Sequence, residues 1–193
     1  TKIAFQDKSD KDLNRAYLLF KTIRNPIISN TLTIFVKIAM WLRLPINGII
    51  KMTVYKHFCG GTTIENSQET IDKLWNSHIG TILDFSAERK EKEEDFNRAM
   101  KETIASIKKA SVESSIPFAV FKPTGLVRFT LLEKISNNTT LTKEEELEKI
   151  TFLNKIKNIC KHASKNKIPL FIDAEESWIQ NAIDNISLEM MRI

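Results

Sequence analysis

Three short apolar runs, each closing on an ionisable residue, constrain this chain more than any other feature. They are Thr81-Ile82-Leu83-Asp84-Phe85, then Pro117-Phe118-Ala119-Val120-Phe121 ending at Lys122, then Pro169-Leu170-Phe171-Ile172 ending at Asp173. Runs of this length without polar alternation read as strands covered on both faces. The segments between and after them carry helical spacing. Phe96, Ala99, Met100, Thr103, Ile104 and Ile107 share one face, and a short helix follows near 126–135. A longer helix opens at Thr142 with Glu145 three residues on, a capping-box spacing, and points Leu147, Ile150, Leu153, Ile156 and Cys160 toward a core. A last helix runs from about Trp178. Alternating strand and helix predicts parallel strands with right-handed crossovers, near 81–85, 117–122 and 168–173, adjacent in that order. A doubly wound sheet and a (βα)8 barrel both fit. A barrel needs eight strands and about 250 residues, so three runs predict an incomplete one.

Residues 1–58 read as a separate helical arm, and residues 59–193 as the α/β part. Ser9-Asp10 precede Leu13, Ala16, Tyr17, Phe20 and Ile23, spaced for a helix that Asn25-Pro26 ends. A second apolar helix spans about 28–42. The apolar stretch 31–50 contains Lys37, Arg43, Pro45 and Asn47. It is therefore too interrupted to span a membrane, which takes about 20 nearly uncharged residues, although contact with a membrane surface is compatible with it. Gly60-Gly61 punctuate the chain, and Thr62 with Glu65 predicts a capped helix over 64–77. A chain that starts on threonine and stops inside a helical pattern is expected to be part of a longer product.

Composition excludes several classes. With 42% hydrophobic and 27% charged residues, the chain has the make-up of a globular domain. A net charge of +5, with Lys and Arg read as mixed among acids, gives no reason to expect nucleic-acid binding. Cys59 and Cys160 stand apart, which predicts two free thiols in a reducing compartment. His57, His78 and His162 lack ligand spacing, so no metal is expected. The triplets at 137–140 resemble glycosylation sites by chance, since no signal peptide is visible. No Gly-rich phosphate loop follows a strand, and no Gly-x-Ser-x-Gly, HExxH or CxxC occurs.

Ligands of parallel α/β folds sit at the carboxyl ends of the strands. Asp84, Lys122 and Asp173 fall at those ends, with Glu175 and Glu176 close behind. Either they converge on one polar site, or each merely reaches solvent where its strand stops. Pattern alone weighs the two evenly.

The segments FAVFKPTG at 118–125 and LFIDAEES at 170–177 resemble the second and third strand motifs of the proline dehydrogenase family. The run 82–88, ILDFSAE, and 58–64, FCGGTTI, are similar to it too, as is ISLEM at 186–190. The resemblance covers about 55–193 in order. It implies a (βα)8 barrel, non-covalent FAD, and oxidation of L-proline to pyrroline-5-carboxylate with electrons passing to a membrane quinone. Carried over by motif position, Lys122 matches the lysine at the base of the proline and flavin site. Asp173 matches the aspartate that orients the arginines binding the substrate carboxylate, and Asp84 and Glu175 match supporting positions. Most FAD contacts are expected in later strands that this chain does not include, as are the paired arginines. Pro123 stands where many members have an aliphatic residue. The implied setting is the cytoplasm, with peripheral association at the inner face of a membrane. A fragment of such an enzyme, inactive alone, is thus the expected reading. The alternative is a non-catalytic α/β binding or regulatory fragment with a basic helical arm, and a weaker third is another barrel enzyme sharing the early strands.

Overall fold

The computed structural model describes Phe5, residues 8–85 and residues 90–192. It is mixed α/β, mostly helical, with a small parallel sheet. The chain divides into two compact units, residues 1–77 and 78–193.

In the first unit, α1 (Asp10–Arg24) is capped by Ser9, whose hydroxyl accepts from the Asp12 N–H at 3.2 Å. Asn25 ends α1 and opens α2 (Pro26–Trp41). Its N–H donates to the Thr22 carbonyl, and its side-chain oxygen accepts from the N–H groups of Ile27 and Ile28. Pro26 then takes the first helical position, where its missing N–H costs nothing. Short helical turns follow at Asn47–Ile50, Lys51–Tyr55 and Lys56–Phe58. The rings of Phe20, His57 and Phe58 meet edge to face at 4.9–6.2 Å. The helix expected over 64–77 is a 3-10 turn, Glu65–Ser67, running into α3 (Gln68–Trp75). Gly61 is required there, because a Cβ would lie 2.5–2.8 Å from Ser67 and the Asn66 backbone. Among the described residues of this unit, Ile71 is the apolar side chain that is fully buried.

In the second unit, α4 (Glu93–Ala110) buries Phe96, Ala99, Thr103 and Ile107, as its spacing predicts. β1 (Ala119–Phe121), α5 (Phe129–Ser136), α6 (Lys143–Asn166), β2 (Leu170–Ile172) and α7 (Gln180–Met191) complete it. β1 and β2 pair in parallel, Ala119 opposite Leu170 and Phe121 opposite Ile172. The core between sheet and helices holds Phe121, Leu126, Leu132, Phe152, Ile156 and Ile183. Thr142 and Glu145 form the reciprocal capping box at the start of α6. Lys167, left-handed at φ 57°, ends that helix and turns the chain toward β2.

Two expectations are corrected. The run 81–85 forms no strand: its Thr81 N–H bonds to the Ser115 carbonyl at 2.8 Å, and no ladder follows. In a regular strand Ser115 and Ala119 would face the same side. Here Ser115 turns its carbonyl to Thr81 while Ala119 sends its N–H to the Pro169 carbonyl. Between them the chain completes the turn closed by the Ile116 N–H on the Glu113 carbonyl and then passes Pro117, which has no N–H to extend a ladder. The similar motif at 86–88 lies outside the described residues. On α6, Leu147 and Ile150 are exposed, not buried. The buried stripe is Phe152, Lys155, Ile156, Ile159 and Ala163, rotated from the expected one, with Leu153 and Cys160 partly buried beside it.

Lys155 sits on that stripe, 6% exposed, with its ammonium 2.7 Å from Glu93 and above the Phe96 ring. Its stem lies in the core while its charge is neutralised by α4. Glu93→Ala should cost about 1–3 kcal/mol, because it leaves a shielded ammonium without its carboxylate. Lys155→Met should cost less, since it removes the charge together with the need for a partner. Thermal unfolding of both variants reads the order, and equal losses would contradict it.

Candidate functional site

The site begins with register. The ladder pairs residues 51 apart in sequence, and beyond β2 the Asp173 N–H still reaches the Phe121 carbonyl at 3.0 Å. The same offset carries on into side chains. Lys122 meets Asp173, its ammonium 2.6 Å from one carboxylate oxygen. Thr124 meets Glu175, its hydroxyl donating at 2.7 Å and its N–H at 3.3 Å. Lys-Pro-Thr and Asp-Ala-Glu thus act as two matched pairs just beyond the adjacent strand ends, both keeping the register of the ladder. Pro123 fits this arrangement: it opens a buried 3-10 turn, Pro123–Gly125, that follows β1 directly.

Asp84 comes within 3.8 Å of the Lys122 ammonium, although the segment bearing it is not a strand. The structure thus gathers all four residues singled out in the sequence at one end of the sheet. What the sequence reading missed was Thr124 as the partner of Glu175. The visible signal was the i, i+2 spacing shared by the two motifs.

Charge and burial differ across the cluster. The Lys122 side chain is 18% exposed, while those of Asp84 and Asp173 are 40% and 44% exposed. The lysine is the enclosed partner and the carboxylates face water, so the cation needs them more than they need it. Burial pushes the Glu175 carboxyl above the usual carboxylate range. The two hydrogen bonds from Thr124 and the charge of Lys122 pull it down without prevailing, and Glu176 adds to the rise. A groove of about 360 Å³ among α5, α6 and α7, lined by Ile135, Leu141, Phe152 and Ala182, shares no residue with the cluster. It is a surface feature of the helical side and not part of this site.

The profile of the proline dehydrogenase family matches residues 67–193. The chain belongs to that family. It is 29% identical over 70% of its length to a carbapenem antibiotics biosynthesis protein of Pectobacterium carotovorum subsp. carotovorum. It is 26% identical over 95% of its length to proline dehydrogenase 1, mitochondrial, of Dictyostelium discoideum. The corresponding figures for proline dehydrogenase 1, mitochondrial, of Arabidopsis thaliana are 23% and 71%. The chain spans 35–39% of the length of these relatives. All four cluster residues lie inside the matched segment.

The Glu175 pKa has a direct consequence for stability. A carboxyl with a raised folded-state pKa stabilises the fold below its ordinary pKa of 4.5, and this contribution is lost as pH rises through the raised value. Glu175→Gln removes the titration. Relative to this variant, the native chain should therefore lose melting temperature as pH goes from about 4 to about 7. Parallel melting curves for the two chains over that range would contradict the assignment.

Proposed function

We propose that this chain supplies early strand ends of an FAD-dependent proline dehydrogenase that oxidises L-proline to pyrroline-5-carboxylate and passes the electrons to a quinone. The observation that carries the reading is the Lys122–Asp173 pair at the carboxyl end of a parallel strand pair, within a segment matched by that family. The reading extends β1 and β2 to neighbouring strands of a closed (βα)8 barrel. It places the protein in the cytoplasm, at the inner face of the membrane that holds the quinone.

The donor set suits one end of the cofactor. Lys122 is a fixed, half-enclosed cation at a ligand-binding strand end, able to face a ring system that gains negative charge. No glycine-rich loop follows either strand to cradle a pyrophosphate, so this segment fits the flavin's ring end only. FAD, when bound, would accept the hydride from the ring carbon beside nitrogen.

The chain's own residues then have separate tasks. Lys122 holds a positive charge near the acceptor and near the substrate carboxylate. Asp173 fixes the lysine by a short charge-assisted bond, and has carboxylate capacity left to orient other cations. Asp84 and Asp173 together outweigh one lysine, which favours the positive charge that builds on the proline ring as hydride leaves. Glu175 clamps Thr124 and so fixes the turn that follows Lys122.

Two outcomes test this. In a protein of the relatives' full length carrying this sequence, Lys122→Ala should lower kcat/KM for proline by the equivalent of about 2–4 kcal/mol with flavin absorbance retained. If Lys122 only braces the sheet, melting temperature will fall and turnover per folded molecule will not. The 193-residue chain by itself should neither retain FAD nor oxidise proline, because two paired strands cannot enclose a cofactor. Purification of this chain with bound, reducible flavin would place the whole site within it.

A further inference from the structure

Thr124 is 3% exposed, and two of its donors go to one side chain. Its hydroxyl donates to one oxygen of Glu175 at 2.7 Å, and its N–H donates to the other at 3.3 Å. A carboxylate met at both oxygens by one residue is fixed in orientation as well as in place. The backbone beneath Thr124 is closed on itself. The Gly125 N–H bonds to the Lys122 carbonyl and the Leu126 N–H to the Pro123 carbonyl, each at 3.0 Å. Pro123, fully buried between Lys122 and Thr124, restricts the chain further. Thr124 and Lys122 are therefore parts of one short, stiff turn.

Stability alone does not account for an acid at position 175. Burial pushes the Glu175 carboxyl above its ordinary value of 4.5, so the fold keeps an ionisable group where its charge is disfavoured. A neutral amide would accept hydrogen bonds there with no charge to desolvate. Four charged groups surround this position. Lys122, at the end of β1, favours ionisation of Glu175, and Glu176 beside it opposes ionisation. Asp173, two residues before Glu175, is bonded to Lys122, and Asp84 of the segment 81–85 lies 3.8 Å from the same ammonium. An acid held against its preference beside the lysine of the site points to a role in the chemistry.

We propose that Thr124 is a positioning residue for the oxidation, acting by keeping Glu175 a carboxylate beside Lys122. This role rests on the catalytic reading above and deepens it. As a carboxylate, Glu175 joins Asp84 and Asp173 in placing negative charge at the strand ends. That charge favours the positive charge that builds on the substrate ring as hydride leaves. As a neutral acid, Glu175 adds no charge and accepts more weakly from Thr124. Thr124 thus acts through Glu175 and not on the substrate itself.

The test compares Thr124→Val, which removes the hydroxyl at similar volume, with Thr124→Ser, which keeps it. Both are made in a protein of the relatives' full length carrying this sequence, and rates are taken per flavin-loaded molecule. Valine takes a donor from the ionised form of Glu175, so the pKa of that carboxyl rises further. The acid limb of kcat/KM for proline should move to higher pH, leaving Thr124→Val about ten-fold below the native protein on that limb and close to it at high pH. Thr124→Ser should keep the native limb. Glu175→Gln, neutral at every pH, should flatten the limb, and Thr124→Val should then change nothing more. A second readout needs no flavin. In the 193-residue chain, carbon-13 NMR of the Glu175 carboxyl should show its titration moved to higher pH by Thr124→Val and unmoved by Thr124→Ser. An unchanged Glu175 titration in Thr124→Val would overturn the proposal, as would a limb that moves equally in Thr124→Ser. A lower melting temperature with a native pH profile would also overturn it, leaving Thr124 a brace of the turn. A native protein that does not oxidise proline fails the catalytic reading, whereas an active one whose Thr124→Val variant keeps the native limb fails this inference alone.

Discussion

Parallel pairing of β1 with β2 at one register is the constraint on which the rest depends. It sets Ala119 against Leu170, and every functional pairing repeats its offset: Lys122 with Asp173, Thr124 with Glu175. A slip of one residue would turn each side chain to the opposite face and separate all four. The slip is prevented from the helical side. Phe121 is locked in the core with Leu126, Leu132 and Phe152, and Phe118 stacks on Phe171 at 4.6 Å across the pair. The hydrophobic core therefore does not merely support the site; through register it selects which ionisable residues meet.

Within the site, enclosure and charge are in tension. Lys122 is shielded enough to need carboxylates, and Glu175 is buried enough that its ionised form is disfavoured despite two donors and a nearby lysine. The result is an arrangement with one firmly held cation, two exposed carboxylates and one carboxyl poised higher than usual. That gradient, from water-facing acids to an enclosed lysine, runs along the strand ends where a ligand of this fold would lie. It is reached with short strands because the 3-10 turn after β1 sets Thr124 within hydrogen-bond distance of Glu175.

Most of this was legible in the sequence where one principle acted alone. The capping box at Thr142 and Glu145, the helix start at Ser9-Asp10 and its end at Asn25-Pro26, and the apolar face of α4 followed from local spacing. So did the placing of Lys122 and Asp173 at neighbouring strand ends. The failures arose where two principles competed. On α6 the apolar residues surround much of the helix, so periodicity could not choose a face. Packing chose the one through Phe152 and Ile159, accepting Lys155 because Glu93 was within reach. The first run, 81–85, had strand composition, but beyond its Thr81–Ser115 bond no ladder forms, because Pro117 in the neighbouring segment has no N–H to continue one.

The position of Asp84 follows from the same competition. With Pro117 interrupting the ladder, the segment 81–85 is tied to its neighbour by the Thr81–Ser115 bond at one end and by the attraction of Asp84 to Lys122 at the other. At 3.8 Å and with Asp84 two-fifths exposed, that attraction is worth well under the value of a buried pair. Asp173, at 2.6 Å, is the stronger partner for the same ammonium. Lys122 thus ties β2 to the segment 81–85, through a short ion pair to Asp173 and a longer one to Asp84.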